Sequence, residues 1–315
     1  MKREEPIPEV ATETFERHRS LLFSIAYRML GSVMEAEDVV QEAFLRWQGA
    51  SGREIRTPKS YLSTVVTRLS IDRLRSAKVR REEYVGPWLP EPIATGEGSD
   101  VAGAAALDET LSMAFLVLLE SLTPVERAVF LLREVFDYDY EEISHLVGKS
   151  ETNCRQIAHR ARGYVAARRP RFERSPEQQE RLTERFVEAC STGDMPALLE
   201  LLAEDITLWS DGGGRVRAAL NPIYGPEKVT RFLLGVLRKT PPTFVSRLAR
   251  VNGQPGIVGY VEGRPASVLT LRYRERSHPG HPYSGEPGEA PGYIPVVLRR
   301  GLALVANKEV ENGAN

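Results

Sequence analysis

The segment from Leu122 to Arg162 admits few folds. Thr123-Pro124-Val125-Glu126 is a capping box with proline in the first turn, so a helix begins there. After Asp137-Tyr138-Asp139 a short helix turns Ile143, Leu146 and Val147 inward and stops at Gly148-Lys149. Ser150 can cap a further helix whose inner face is Cys154, Ile157, Ala158 and Ala161. Two helices joined at a glycine, the second of them basic, predict a helix-turn-helix. The outward residues of that second helix, Glu151, Thr152, Asn153, Arg155, Gln156, His159 and Arg160, are of types that reach base edges and phosphates from the major groove.

The first third is also helical in pattern. Phe15, Leu22, Ile25, Ala26 and Met29 recur at helical spacing, and Gly31 sits where a C-terminal cap belongs. Ala36, Val39, Val40, Ala43, Phe44 and Trp47 form a second apolar stripe that reads as core, with Glu35, Asp38, Gln41 and Glu42 on the opposite face. Thr57-Pro58 opens a third helix with Leu62, Val65, Val66 and Leu69 inward and basic residues outward.

The net charge of −1 counts against a nucleic-acid binder only as an average. From Arg53 to Arg81 the many Arg and Lys residues are opposed by Glu54 and Asp72 alone, and from Lys149 to Arg174 by Glu151 and Glu173 alone. Two separated basic stripes on a neutral chain predict two DNA-facing elements, with other surfaces left for protein. Cys154 and Cys190 fall outside any metal-ligand spacing, and Cys154 reads as a buried small hydrophobe. His278 and His281 make a lone HxxH in a Pro/Gly-rich stretch, so neither metal nor other cofactor is implied. No apolar run approaches the ~20 residues of a membrane span, and the N-terminus lacks a secretory pattern, so a cytoplasmic protein is expected.

From Gly86 to about Gly103 prolines and glycines mark a linker, although Trp88 and Leu89 exceed the needs of a passive tether. Beyond Pro176 the pattern changes to α+β. Helices around Phe186 and Leu198 precede a strand at Ile206–Trp209, a loop at Asp211–Gly214 and a helix near Lys228 to Leu237. Strand-like runs come next at Phe244–Val251, Ile257–Val261 and Ser267–Tyr273, with turns at Asn252-Gly253 and Glu262-Gly263. A curved antiparallel sheet packed on helices is expected.

Four segments in series carry a family resemblance. Glu37-Asp38-Val39-Val40-Gln41-Glu42-Ala43-Phe44-Leu45-Arg46-Trp47 resembles the region 2 core helix of extracytoplasmic-function (ECF) sigma factors. Leu122-Thr123-Pro124 through Arg162 is similar to their region 4. Tyr84-Val85-Gly86-Pro87-Trp88-Leu89-Pro90-Glu91-Pro92 resembles the linker of the SigJ-like subgroup with a fused SnoaL-like domain, and Asp211-Gly212-Gly213-Gly214 a loop motif of that domain. The resemblance implies a multidomain chain: an all-α region 2 at 10–83, a linker at 84–106, an all-α region 4 at 107–170 and an α+β SnoaL-like cone of the cystatin-like type at 176–310.

It also implies roles. The partners would be core RNA polymerase, through its β′ coiled coil and β flap, and promoter DNA, with no catalysis by the chain itself. Asp38, Gln41 and Glu42 would dock on the coiled coil; Lys59, Tyr61, Arg68, Arg73 and Arg75 would face the −10 element. Arg155, Gln156, His159 and Arg160 would read the −35 duplex, with Lys149 and Ser150 on phosphates. Trp88, Leu89 and Pro90 would meet Asp211, Gly212, Gly213 and Gly214 at a regulatory joint, through which the C-terminal domain, with or without a small-molecule ligand, modulates activity. The chain departs from the subgroup at its end, where Asn307-Lys308-Glu309-Val310 lacks the proline of the Asn-Pro-Asp/Glu-Lys-Leu motif. Two alternatives stay open: a one-component regulator with a ligand-binding cone, and a SnoaL-like enzyme. The latter would need convergent acid/base groups, whereas the strand segments offer Thr207, Trp209, Arg217 and Tyr260.

Overall fold

The computed structural model describes residues 9–50, 55–81, 88–95, 112–168, 175–204, 206–212, 218–271 and 295–300. They fall into two compact units: the helical segments up to 81 and from 116 to 167 form the first, and 88–95, 112–115 and the described residues beyond 167 form the second.

The first unit is all-α. α1 (Glu9–Leu30), α2 (Val33–Gly49) and α3 (Pro58–Arg81) form one lobe. Gly31, at φ 68°, turns the chain out of α1, and the Ser32 hydroxyl caps α2 by accepting from Glu35 N. Leu22, Ile25, Ala26 and Met29 of α1 close on Val39, Val40 and Ala43 of α2 and on Leu62 and Val66 of α3, all buried. After α4 (Met113–Leu119), the second lobe comprises α5 (Pro124–Glu134), α6 (Tyr140–Val147) and α7 (Glu151–Arg168). α5 and α6 both begin in full capping boxes, at Thr123/Glu126 and Asp139/Glu142. Gly148 ends α6 at φ 66°, and Val129, Leu132, Ile143, Leu146, Cys154, Ile157 and Ala158 form the core beneath the turn. The helix-turn-helix has the helices and inner face that the sequence predicts.

The two lobes pack directly, α3 lying against α5 and α6. Two arginines exchange places across this contact. Arg127 of α5, buried and paired with Glu120 at 2.9 Å, donates to Met29 O at the carboxyl end of α1. Arg68 of α3 donates to His145 O and Leu146 O at the carboxyl end of α6. Each lobe therefore supplies a cation to the carbonyl-rich end of a helix in the other, where charge and free acceptors both favour it. Between them the hydroxyls of Ser63 and Tyr138 share a buried hydrogen bond of 2.8 Å.

The second unit is α+β. β1 (Ala94–Thr95) belongs to its sheet, followed in the chain by α8 (Pro176–Thr192), α9 (Met195–Leu201), β2 (Thr207–Asp211), β3 (Ile223–Tyr224), α10 (Pro226–Leu237), β4 (Phe244–Val251), β5 (Gln254–Val261), β6 (Arg264–Thr270) and β7 (Pro295–Arg300). The strand order is β1-β4-β5-β6-β7-β2-β3. Asn252-Gly253 and Glu262-Gly263 form the two tight hairpins, all four residues at positive φ as a two-residue turn of this twist requires.

Two expectations need correction. The sheet is mixed, not antiparallel, because β7 joins β6 antiparallel and then lies parallel to β2, to which the intervening chain returns as a crossover. Asp211 is not a loop residue: β2 runs on through it, and it is buried. Phe186, Leu198, Leu208, Val229, Leu233 and Ile257 anchor the core between the sheet and α8, α9 and α10.

Candidate polymerase and promoter interfaces

The outward face of α2 combines acids with exposed apolar side chains. Asp38 and Gln41 are exposed and Glu42 is half-buried, as the sequence predicts for one face. Asp38 is held 3.3 Å from Arg73 of α3, and Glu42 2.6 Å from Arg46. The sequence reading missed Met34 and Leu45, which are 70% and 60% exposed. With Asp38 and Gln41 they complete a 34/38/41/45 row on one side of the helix. Their signal was available: two large apolar residues at helical spacing on an otherwise polar face. Such a row, apolar at its ends with an acid and an amide between, suits a basic helical partner.

The residues expected on the DNA side of α3 are divided by the structure. Tyr61 and Arg68 line a cavity of about 460 Å³ together with Arg46, Thr57, Ser60, Thr64 and Val65. Tyr61 is set there by the Trp47 ring, 5.9 Å away between centroids, and Trp47 is itself fixed by donating to Ala11 O at 2.8 Å. An aromatic ring, two guanidinium groups and three hydroxyls in one concave site can stack a base and hold its phosphate. Arg46, Thr57, Ser60 and Thr64 were not read from the sequence, since α2 and the start of α3 meet only in the fold.

Lys59, Arg73 and Arg75 lie outside this cavity. The Lys59 ammonium stands 5.2 Å from the Tyr138 ring centroid, in the packing of the two lobes. Its charge, with burial and Arg17, holds the nearby His18 imidazole below its ordinary value, burial being the largest cause. Arg75 pairs with Asp72 in the same helix.

On α7, Arg155, Gln156, His159 and Arg160 are exposed together. Arg155 pairs with Glu151 and lies 4.8 Å from the Tyr140 ring centroid, so it is steered, whereas Gln156, His159 and Arg160 have no partner among the described residues. Ser150 caps α7 by accepting from Asn153 N at 3.3 Å, and Lys149 beside it is exposed. The face therefore presents donors and acceptors on a helix whose first turn is capped by Ser150.

In the second unit, Leu89 N donates to the Asp211 carboxylate at 3.0 Å, and Asn252 brackets Ile93 by accepting from its N–H and donating its own N–H to Ile93 O. Ala94 and Thr95 then pair with Val251 and Arg250. Leu89 and Asp211 are thus tied together and buried, with Pro90 buried and Trp88 half-buried beside Leu89 in the chain; the sequence reading did not assign Asn252. Gly212 comes next at the end of β2; Gly213 and Gly214 lie outside the described residues, as do His278, His281 and the 307–310 motif. No helix among the described residues is long and apolar enough to cross a membrane.

The Sigma-70 region 2 family matches residues 14–80, and the Sigma-70 region 4 family matches residues 112–164. The ECF RNA polymerase sigma factor SigJ of Mycobacterium tuberculosis is 39% identical over 271 residues, covering 82% of this chain and 86% of SigJ. A probable ECF sigma factor of the same species, SigI, is 34% identical over 86% of this chain and 90% of its own length. The crystal structure of M. tuberculosis SigJ superimposes with a TM-score of 0.69 at 32% identity, covering 92% of this chain and 95% of that one. The chain accordingly belongs to the ECF RNA polymerase sigma factors, which act in transcription initiation.

Proposed function

We propose that this sigma factor binds core RNA polymerase through the Met34–Leu45 row of α2, reads the −35 duplex with α7 and captures an unstacked −10 base in the cavity beneath Tyr61. The observation that carries this reading is the cavity itself. It sets Tyr61, Arg46 and Arg68 around a concave site beside the acidic and apolar row that would face the polymerase β′ coiled coil. Unstacking a base costs a few kcal/mol, which stacking and phosphate contacts offset, so no nucleotide hydrolysis is needed. On this reading the chain is not an enzyme, works in the cytoplasm, and meets the β flap through its second lobe.

We infer further that residues 10–83, 84–106, 107–170 and 176–310 act as region 2, linker, region 4 and a cis-acting regulatory domain. The buried Leu89–Asp211 bond and the Ile93–Asn252 bracket support this, because they make the linker part of the second unit's sheet. The test is run-off transcription with purified core polymerase on a pool of the organism's promoters. Rifampicin-sensitive transcripts that need the protein are expected, and their start sites would define the −10 and −35 elements. Ending the chain after Arg174 should change transcript yield. Absence of transcripts and of core binding would favour a one-component regulator, and an unaltered yield on truncation would refute the regulatory role alone.

A further inference from the structure

A thioether is an apolar group that a mild oxidant turns polar while the backbone stays intact. Of the five methionines, Met1 lies outside the described residues, Met29 and Met113 are 1% and 3% exposed, and Met195 is half-buried. Met34 differs. It is 70% exposed, more than any other large apolar side chain described.

Its position gives that exposure a meaning. Met34 is the second residue of α2 and begins the 34/38/41/45 row, in which it and Leu45 are the apolar ends. Peroxide leaves the leucine unchanged and attacks the thioether. The turn that carries Met34 is held by the Ser32 cap, and the helix by Ala36, Val39, Val40 and Ala43 on its buried face. A change of polarity at Met34 therefore alters the surface and leaves the lobe folded. The cysteines compete poorly for the same oxidant, because they react as thiolates. Cys154 is buried, and burial followed by Glu151 raises its value; burial pushes the half-buried Cys190 up to about 12. Both stay protonated near neutral pH, whereas a thioether needs no ionisation to react.

We propose that Met34 is an oxidation site through which a peroxide weakens polymerase binding and a reductase restores it; the inference rests on the reading of the α2 row as the polymerase surface. The sulfur attacks one peroxide oxygen, the O–O bond breaks as the S–O bond forms, and water leaves. Sulfur is oxidised and the peroxide reduced by the same electron pair. The sulfoxide is a strong hydrogen-bond acceptor, and burying it against a partner's apolar surface costs its hydration. A thiol-dependent methionine sulfoxide reductase takes the oxygen off as water, forms a disulfide and returns the thioether.

The test treats the full chain with hydrogen peroxide, alone and in complex with core polymerase, and follows the added oxygen on the Met34 peptide by mass spectrometry. The complex should oxidise there several-fold more slowly. For affinity, peroxide is removed before untreated core polymerase is added, and binding of the labelled chain is read by anisotropy. The oxidised chain should bind about tenfold more weakly, and the reductase should restore the starting value. In Met34→Leu, whatever its own affinity, peroxide should change nothing, which separates Met34 from Met195 and the cysteines. Equal oxidation rates with and without polymerase would remove the α2 row from the interface and the inference with it. Protection in the complex together with equal affinity of the oxidised chain, or an equal loss in Met34→Leu, would overturn the inference alone.

Discussion

Single residues in this protein do their work through partners distant in sequence. Arg127 contacts Met29 across 98 positions, and Leu89 contacts Asp211 across 122. Neither pairing carries a local signal, which is why the sequence marked Asp211 as a loop residue and left Arg127 unassigned. Replacing Asp211 with alanine leaves a buried N–H at Leu89 without its acceptor. The expected loss is about 1–3 kcal/mol of stability in the second unit, read from urea unfolding monitored by tryptophan emission. Asp211→Asn keeps an acceptor oxygen and should recover most of it. Cys190 makes a second prediction. Its folded value of about 12 lies above the ordinary 9.0, so the native state holds a proton that the unfolded chain releases. That contribution is complete below about pH 9 and is lost as pH rises from 9 towards 12. Urea midpoints should therefore fall more steeply over that window in the wild-type chain than in Cys190→Ala.

At the scale of elements, legibility tracks locality. The starts of α5 and α7 were readable because a cap hydroxyl and the N–H it accepts from lie three residues apart, and the end of α6 because a glycine there takes a left-handed backbone. A side chain at Gly148 would meet nothing within 4 Å, so Gly148→Ala tests backbone strain alone and should cost about 1 kcal/mol in thermal unfolding. The mixed character of the sheet was not readable, since β7 enters it by pairing with β2, far back in the chain. For α7 the exposed trio Gln156, His159 and Arg160 yields a sharper expectation than the helix as a whole. Arg160→Ala should weaken −35 duplex binding and, if it contacts phosphate, lower the salt slope by about 1. Gln156→Ala should alter base preference and leave the slope unchanged; anisotropy titrations at several salt concentrations separate the two.

At the scale of the first unit, the order of its pieces was legible and their packing was not. The sequence assigns a basic outer face to α3, and Lys59, Arg68 and Arg75 are exposed on it, but Ser63, Thr67 and Ser70 beside the apolar face are fully covered as well. The reason is that α3 is shared: its own lobe takes one side and α5 and α6 take another. Lys59 and Arg68, both expected at the −10 element, are engaged with Tyr138 and with the end of α6 in this packing. Should −10 binding draw the lobes apart, those contacts break and the packed state competes with DNA. Tyr138→Phe tests this at a position assigned to neither DNA nor polymerase, and it keeps the ring that Lys59 faces. It removes one buried hydrogen bond, leaving Ser63 unpaired at a cost of about 1 kcal/mol to the packing. When the packed state dominates, apparent affinity scales with the open fraction, so binding of a labelled single-stranded −10 oligonucleotide should strengthen about fivefold. Arg68→Ala should not reproduce the gain, because it loosens the packing and removes a cavity guanidinium at once. Unchanged affinity in Tyr138→Phe, with the expected loss of stability, would mean that the lobe contact and the −10 surface are independent.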